Sequence, residues 1–129
     1  MEAYLDNSAT TRCCDAATNL MVELLTMDYG NPSSLHMKGI IAEKYITEAK
    51  KKIAKVLKVQ EKEIVFTSGG TESNNMAIIG GAIANQRAGH HVITTSIEHA
   101  SVSNPMNWLE ENGFEVTYLS VDQNGIISL

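Results

Sequence analysis

The chain has 129 residues, of which 43% are hydrophobic and 19% are charged, as in an ordinary folded domain without a disordered tail. Its formal net charge of −5 argues against a nucleic-acid-binding surface. The sequence contains neither an apolar run of the roughly 18 residues that a membrane span needs nor a signal-peptide pattern, so we expect no membrane partner.

The amino-terminal part predicts a short arm followed by a helix. Residues 1–11 lack a helical pattern and predict an extended arm. Asp15 is a suitable N-cap for a helix over residues 16–27. Residues 28–32 contain a glycine and a proline, which predict the end of that helix.

A second, longer helix is predicted to end near Lys58, with Ser33 or Ser34 as its N-cap. Apolar side chains recur three and four positions apart along it, as on one face of a helix. We expect this face to be buried; it carries Ile41, Tyr45, Ile46, Ala49, Ile53, Val56 and Leu57.

Strands and helices alternate in the second half of the chain. Strands are predicted over residues 64–67, 91–95 and 115–119, and helices over residues 72–87 and 101–112. Pro105 would be tolerated in the first turn of the later helix, and Gly113 suits its left-handed stop. Residues 122–125 predict a turn. The alternation predicts an α/β fold with parallel strands and right-handed crossovers.

The connection between the first predicted strand and the next helix is the strongest candidate for a binding site. Unpaired backbone N–H groups and the helix dipole would meet an anion there. Gly70 would let the anion come close, and Thr71 and Ser73 could donate hydroxyl hydrogen bonds. The lysine of a nucleotide P-loop is absent, which favours the phosphate of a small cofactor. The alternative is an ordinary turn with Thr71 as N-cap.

A histidine follows the second predicted strand. Ligands of open α/β sheets bind at the carboxyl ends of the strands, so the loops after Thr67 and Thr95 would face one crevice. The imidazole of His99 could stack on a flat aromatic ring there. The alternative is a loop histidine hydrogen-bonded to Glu98.

Four segments of the chain form a recognisable set: YLDNSATTR at 4–12, GNPSSLH at 30–36 with Gly39 behind it, FTSGGTESNN at 66–75 and IEHASV at 97–102. Together they resemble the cysteine desulfurases, which are pyridoxal-phosphate enzymes of the class V aminotransferase group. Their order and approximate spacing are those of the family. The likeness extends from Tyr4 to Leu129, which corresponds to about the first third of a family member.

The resemblance implies a fold and three site residues. The fold is a partial three-layer sandwich with mainly parallel strands, the N-terminal part of the fold type I large domain. Residues 1–12 would be the family's N-terminal arm, and residues 13–129 an incomplete pyridoxal-phosphate-binding large domain. Gly70 and Thr71 match the pair that binds the phosphate of pyridoxal 5'-phosphate, and His99 matches the histidine that stacks on its pyridine ring.

The resemblance also implies an activity. A cysteine desulfurase converts L-cysteine to L-alanine and passes the sulfur, as a persulfide, to a sulfur-acceptor protein, typically for iron–sulfur cluster assembly. In the family the Schiff-base lysine lies downstream of the phosphate loop, whereas no lysine follows Lys62 here. We therefore assign no catalytic residue and no metal ligand, and expect the chain alone to be inactive. The alternatives are a selenocysteine lyase or aminotransferase of the same group, or a non-catalytic binding or assembly fragment.

The family likeness raises two expectations about assembly and location. In the relatives, strands that come later in sequence separate the first two strands of the large-domain sheet. The three strands here would therefore pair differently, or the chain would form a homodimer or associate in another way. Cys13 and Cys14 are adjacent, which makes a disulfide framework implausible and favours a reducing, cytoplasmic setting without a catalytic role for either thiol.

Other matched positions have weaker assignments. One set matches a loop near the active-site entrance but would equally form a turn and an N-cap: Asn31, Ser33, Ser34 and His36. A second set could shape the substrate mouth: Asp6, Asn7, Thr10 and Thr11. A third set is expected to cap its helix and to form local hydrogen bonds: Glu72, Ser73, Asn74 and Asn75.

Overall fold

The computed structural model describes residues 3–127, and the chain divides into two compact units, Met1–Val65 and Phe66–Leu129. The first unit is helical in its described part, and the second contains the parallel strands. The predicted α/β class is therefore confirmed. The predicted division into an arm, residues 1–12, and one large domain, residues 13–129, stays a prediction. Within residues 3–127, no helix is both long enough and apolar enough to cross a lipid bilayer.

The first unit contains helix α1 (Asp15–Thr26), helix α2 (Met37–Leu57) and a 3₁₀ turn (Glu61–Glu63). The N-cap of α1 is Cys14, so the prediction of Asp15 as the cap was wrong by one position. Asp15 is instead the first helical residue, where its negative charge interacts favourably with the helix dipole.

The predicted extended arm folds back on itself over part of its length. The carbonyl of Asp6 accepts hydrogen bonds from the backbone N–H groups of Ala9 and Thr10, at 3.2 and 3.3 Å. Asp, Asn and Ser residues favour such turns because their short polar side chains compete for backbone hydrogen bonds. The arm is therefore a turn at these residues, which the lack of helical periodicity did not reveal.

Helix α2 begins later than predicted, and its N-cap is His36. The Ser33 N–H donates to Asn31 Oδ1 and the Ser34 N–H donates to the Asn31 carbonyl, and each donor–acceptor distance is 2.9 Å. The two serines therefore belong to a turn that precedes the helix. A Cβ on Gly39 would lie 2.1 Å from the Ser34 carbonyl oxygen, so this turn packs on the helix only because residue 39 has no side chain.

The apolar face predicted for α2 is largely exposed. The buried residues of the helix are Gly39, Ala42 and Ala54, whereas Ile53 is 37% and Val56 79% exposed. An apolar helix face is buried only where another element covers it. Within the described part of this unit, neighbouring elements therefore bury the small residues of α2 but leave its largest aliphatic side chains exposed.

The second unit begins with a helical segment of three parts and continues with two strands and a helix. In chain order these are α3 (Gly70–Asn75), a π-helical turn (Met76–Gly80), α4 (Gly81–Ala84), β1 (His91–Thr95), α5 (Ala100–Glu111) and β2 (Glu115–Leu119). Strands β1 and β2 are parallel, with His91 opposite Glu115 and Thr95 opposite Leu119. Both strands have the predicted bounds, and α5 connects them.

The prediction of a strand over residues 64–67 was wrong. The described sheet has two strands, and residues 64–67 are not assigned to it. Ile64 has extended dihedrals, with φ −91° and ψ 118°, and is buried. An extended, apolar segment becomes a strand only when a neighbouring strand pairs with it in a ladder, which the local sequence pattern cannot report.

Helix α5 carries much of the buried side-chain volume of the second unit. Leu109 and Pro105 are fully buried. Pro105 lies in the second turn of α5, not in the first as predicted, since the helix begins at Ala100.

Gly113, at φ 86°, ends the helix as predicted. The N–H groups of Gly113 and Phe114 donate to the Glu110 and Leu109 carbonyls at 3.1 and 3.0 Å, which is a Schellman motif.

Candidate cofactor site

The candidate phosphate site is the N-terminus of α3. The helix begins at Gly70, its N-cap is Gly69, and no side chain caps it. The first helical hydrogen bond there runs from the Ser73 N–H to the Gly69 carbonyl, over 3.1 Å. The N–H groups of Gly70 and Thr71 precede this bond and are available to a ligand. Since the cap is Gly69, the alternative of Thr71 as N-cap was wrong.

The hydroxyl groups of this loop have different roles. Thr67 Oγ1 donates to the Gly69 carbonyl over 3.2 Å, and it lies 2.6 Å from Ser73 Oγ. Because Thr67 has only one hydroxyl hydrogen, Ser73 is the donor of the second bond. Ser73 is thereby engaged inside the loop instead of serving as the predicted phosphate donor. Thr71 is exposed, which leaves its hydroxyl beside the free N–H groups.

Glu72 stabilises the same loop through hydrogen bonds to Ser68. Its Oε2 accepts hydrogen bonds from both the N–H and the hydroxyl of Ser68, each 2.6 Å long. These two bonds, the hydroxyl bond first, lower the pKa of Glu72 below its ordinary value. The carboxylate is therefore ionised at neutral pH and bonded to Ser68; Glu72 forms the expected local hydrogen bonds but does not cap α3.

The residues of this loop fit a phosphate group. A Cβ built on Gly69 or Gly70 would meet no other atom within 4 Å, so the space beside the loop is open. Two backbone N–H groups, the Thr71 hydroxyl and the positive end of a helix dipole form a donor set that suits an anion. Among residues 3–127, no group of three or more His, Cys, Asp or Glu side chains could hold a metal ion.

His99 is the N-cap of α5. Its Nδ1 accepts a hydrogen bond from the Ser101 N–H over 3.0 Å and lies 2.9 Å from Ser101 Oγ. The alternative partner, Glu98, accepts instead from Thr95 Oγ1 at 2.7 Å, so the expectation of a histidine bonded to Glu98 was wrong. The ring is exposed, and β1 places it just beyond the carboxyl end of a strand.

Asn74 joins the two parts of the candidate site. Its side-chain amide donates to Ser101 Oγ over 2.8 Å, between residues 27 positions apart in the chain. The structure thus connects the helix that begins at Gly70 and Thr71 with the helix that His99 caps. From the sequence we expected Asn74 only to cap its helix and to form local hydrogen bonds, and we expected no role for Ser101. Both residues lie in the segments that resemble the family, but nothing in their spacing predicts a contact between helices.

Comparison with known proteins identifies related sequences over nearly the whole chain. The sequence profile of the aminotransferase class-V family matches residues 3–129. Cysteine desulfurase IscS of Methanosarcina thermophila is 50% identical over 125 residues, which are 97% of this chain and 31% of the relative. Cysteine desulfurase IscS of Dictyoglomus turgidum is 48% identical over 126 residues, which are 98% of this chain and 32% of the relative. The chain spans about a third of the length of these curated relatives.

Solved structures show the same relationship. A NifS-like protein superposes with a TM-score of 0.89 at 41% identity, over 99% of this chain and 35% of the other. SspA in complex with cysteine superposes with a TM-score of 0.83 at 39% identity, over 94% of this chain and 35% of the other. These similarities confirm the predicted likeness to the N-terminal part of the NifS-like fold.

Proposed function

Since the chain belongs to the class-V aminotransferase family, we propose that it forms the N-terminal, phosphate-binding part of a pyridoxal-phosphate-dependent cysteine desulfurase. The observation that carries the proposal is the open helix N-terminus at Gly70 and Thr71. Its free N–H groups and hydroxyl lie in the segment that resembles the family's phosphate loop. The relatives' names and a similar structure with bound cysteine support L-cysteine as the substrate.

In this proposal the chain binds and orients the cofactor. Gly70 and Thr71 donate hydrogen bonds to its phosphate, and His99 lies against its ring. The bound cofactor supplies an electron sink for negative charge that develops on an amino-acid substrate. Thr67, Ser68 and Glu72 keep the phosphate-binding turn in shape through their hydrogen bonds.

The proposed products are L-alanine and a sulfur atom that passes as a persulfide to an acceptor protein, for iron–sulfur cluster assembly. A cytoplasmic location is part of the proposal, and it agrees with the free, exposed thiols of Cys13 and Cys14.

A chimeric enzyme tests the proposed function. Residues 1–129 replace the matching segment of the cysteine desulfurase from Methanosarcina thermophila, and we call the product the desulfurase chimera. We expect it to bind pyridoxal phosphate, with the cofactor's visible absorbance, and to form alanine from L-cysteine; an added dithiol reduces the resulting persulfide and releases its outer sulfur as sulfide. The 129-residue chain alone is the matched control and should release neither. A folded chimera that cannot bind the cofactor would overturn the proposal.

A further inference from the structure

The hydrogen bonds around His99 determine which of its ring nitrogens carries the proton. The Ser101 backbone N–H is a donor and cannot accept, and it points at Nδ1 over 3.0 Å. Nδ1 is therefore the acceptor, and the hydrogen of the neutral ring is on Nε2. Within the described residues Nε2 has no hydrogen-bond partner, so it is the polar atom that His99 offers to a ligand.

The Ser101 hydroxyl supports the same tautomer. Its oxygen accepts from the Asn74 amide at 2.8 Å and lies 2.9 Å from Nδ1. With Nδ1 already an acceptor, the hydroxyl hydrogen is the one that points at the ring, and it shares the Nδ1 lone pair with the backbone N–H. Asn74 occupies one lone pair of the hydroxyl oxygen and so leaves its hydrogen free for His99. Ser101 is buried, which protects this chain of hydrogen bonds from competing water.

We propose that Asn74 and Ser101 are positioning residues that hold His99 as the Nε2–H tautomer, so that its exposed nitrogen donates a hydrogen bond and does not accept one. The tautomer depends only on contacts within the second unit. Its consequence for catalysis rests on the proposed function, because it makes His99 a donor toward groups around the cofactor ring.

Nitrogen-15 NMR of the histidine rings tests the tautomer in the 129-residue chain without cofactor. The spectra are recorded in alkaline buffer and compared between two pH values, to verify that the signals are those of the neutral rings. We expect His99 to show a pyridine-like Nδ1 and a pyrrole-like Nε2. The opposite pattern in the wild-type chain would overturn the proposal, whatever the variants do.

Two substitutions at Asn74 test whether its hydrogen bond to Ser101 influences the tautomer of His99. Asn74→Ala removes the donor to Ser101 and should raise the ratio of the Nδ1–H to the Nε2–H form about 2- to 10-fold, as expected from one ordinary hydrogen bond. Asn74→Asp has the same shape but is an acceptor only, so it should draw the Ser101 hydroxyl hydrogen away and shift the ratio further. Asn85→Ala is the matched control, since Asn85 is the C-cap of α4 and donates to the Gly81 carbonyl at 2.8 Å.

The ratio should be unchanged in Asn85→Ala. A ratio that is equally unchanged in both Asn74 variants, with backbone spectra that show intact folds, would contradict the role of Asn74. These measurements involve neither pyridoxal phosphate nor cysteine. A wrong tautomer with an active desulfurase chimera would refute this inference alone, and an inactive chimera with the expected tautomer would refute only the proposed function.

Discussion

The side-chain amide of Asn74 lies 2.8 Å from Ser101 Oγ and joins helix α3 to helix α5. Helix α3 carries the candidate phosphate donors at its first turn, and α5 carries His99 as its N-cap. A single hydrogen bond therefore couples the two groups that would contact opposite parts of one cofactor.

Substitution of Thr71 by valine tests the phosphate site in the desulfurase chimera. Valine keeps the shape of threonine but lacks the hydroxyl, so one hydrogen bond to a charged phosphate is lost. Such a bond contributes about 1.5–3 kcal/mol, which corresponds to about 10- to 100-fold weaker pyridoxal-phosphate binding. Equilibrium titration of the cofactor measures this loss. Thr71→Ser keeps the hydroxyl and should bind nearly as tightly as the wild type; equal affinity of all three proteins would rule out the assignment.

Substitution of His99 tests its role as a hydrogen-bond donor in the reaction. His99→Asn keeps a side-chain oxygen that can cap α5, so the helix should stay intact. The ring and its Nε2–H are lost, and one preorganised hydrogen-bond donor to developing negative charge is worth about 10²- to 10³-fold in rate. We expect single-turnover alanine formation in the desulfurase chimera to slow by that order, with cofactor affinity changed much less. Thermal unfolding of the variant checks the cap, and a wild-type rate would reduce His99 to a structural residue.

Local chemistry was enough to predict the strands and the helix stop of the second unit. Residues 91–95 and 115–119 are short segments rich in β-branched residues and bounded by turn residues. Gly113 supplies the left-handed conformation that the end of α5 requires. The turn before α3 was predicted for a similar reason, because glycine, hydroxyl and helix-start signals are adjacent in sequence; its binding of a phosphate stays a prediction. Each of these features depends on a few consecutive residues.

Two of the features that were missed depend on distant partners. Residues 64–67 have the composition of a strand, but a strand also needs a paired neighbour. The start of α2 was missed for a local reason instead, because the N–H groups of Ser33 and Ser34 bond to Asn31 in a turn and neither serine caps the helix. The bond from Asn74 to Ser101 connects two helices, and no periodicity of a single helix can indicate it.

We predict that the 129-residue chain associates with itself at micromolar concentrations and above. Large apolar side chains of the first unit are exposed, including Leu25 at 74% and Val56 at 79%. Sedimentation velocity should show an average mass that rises with concentration. Leu25→Lys should weaken association about 10- to 100-fold, since a buried leucine contributes about 1.5–3 kcal/mol. Asn19→Lys adds the same charge to an exposed position of α1 and should have little effect. A monomer at all concentrations would contradict the prediction.

The stability of the phosphate loop should depend on the ionisation of Glu72. Hydrogen bonds from Ser68 lower the pKa of Glu72 below 4.5, so the folded state binds its proton less tightly than the unfolded state does. The resulting stabilisation is fully present above pH 4.5 and is lost as the pH falls through the lower folded-state pKa. Asp122 also has a lowered pKa, because the Ile126 and Asn124 N–H groups donate to it.

A comparison of the wild type with Glu72→Gln isolates the contribution of Glu72 from that of Asp122. Glutamine keeps the shape and one acceptor oxygen but has no charge, so the Ser68 N–H is held less firmly at neutral pH. Hydrogen exchange at the Ser68 amide should therefore be faster in the variant at pH 6 to 7, allowing for the intrinsic dependence of exchange on pH. The difference should vanish in acid, where the wild-type carboxyl is protonated. Equal protection of Ser68 in both proteins at neutral pH would show that the carboxylate does not hold the loop.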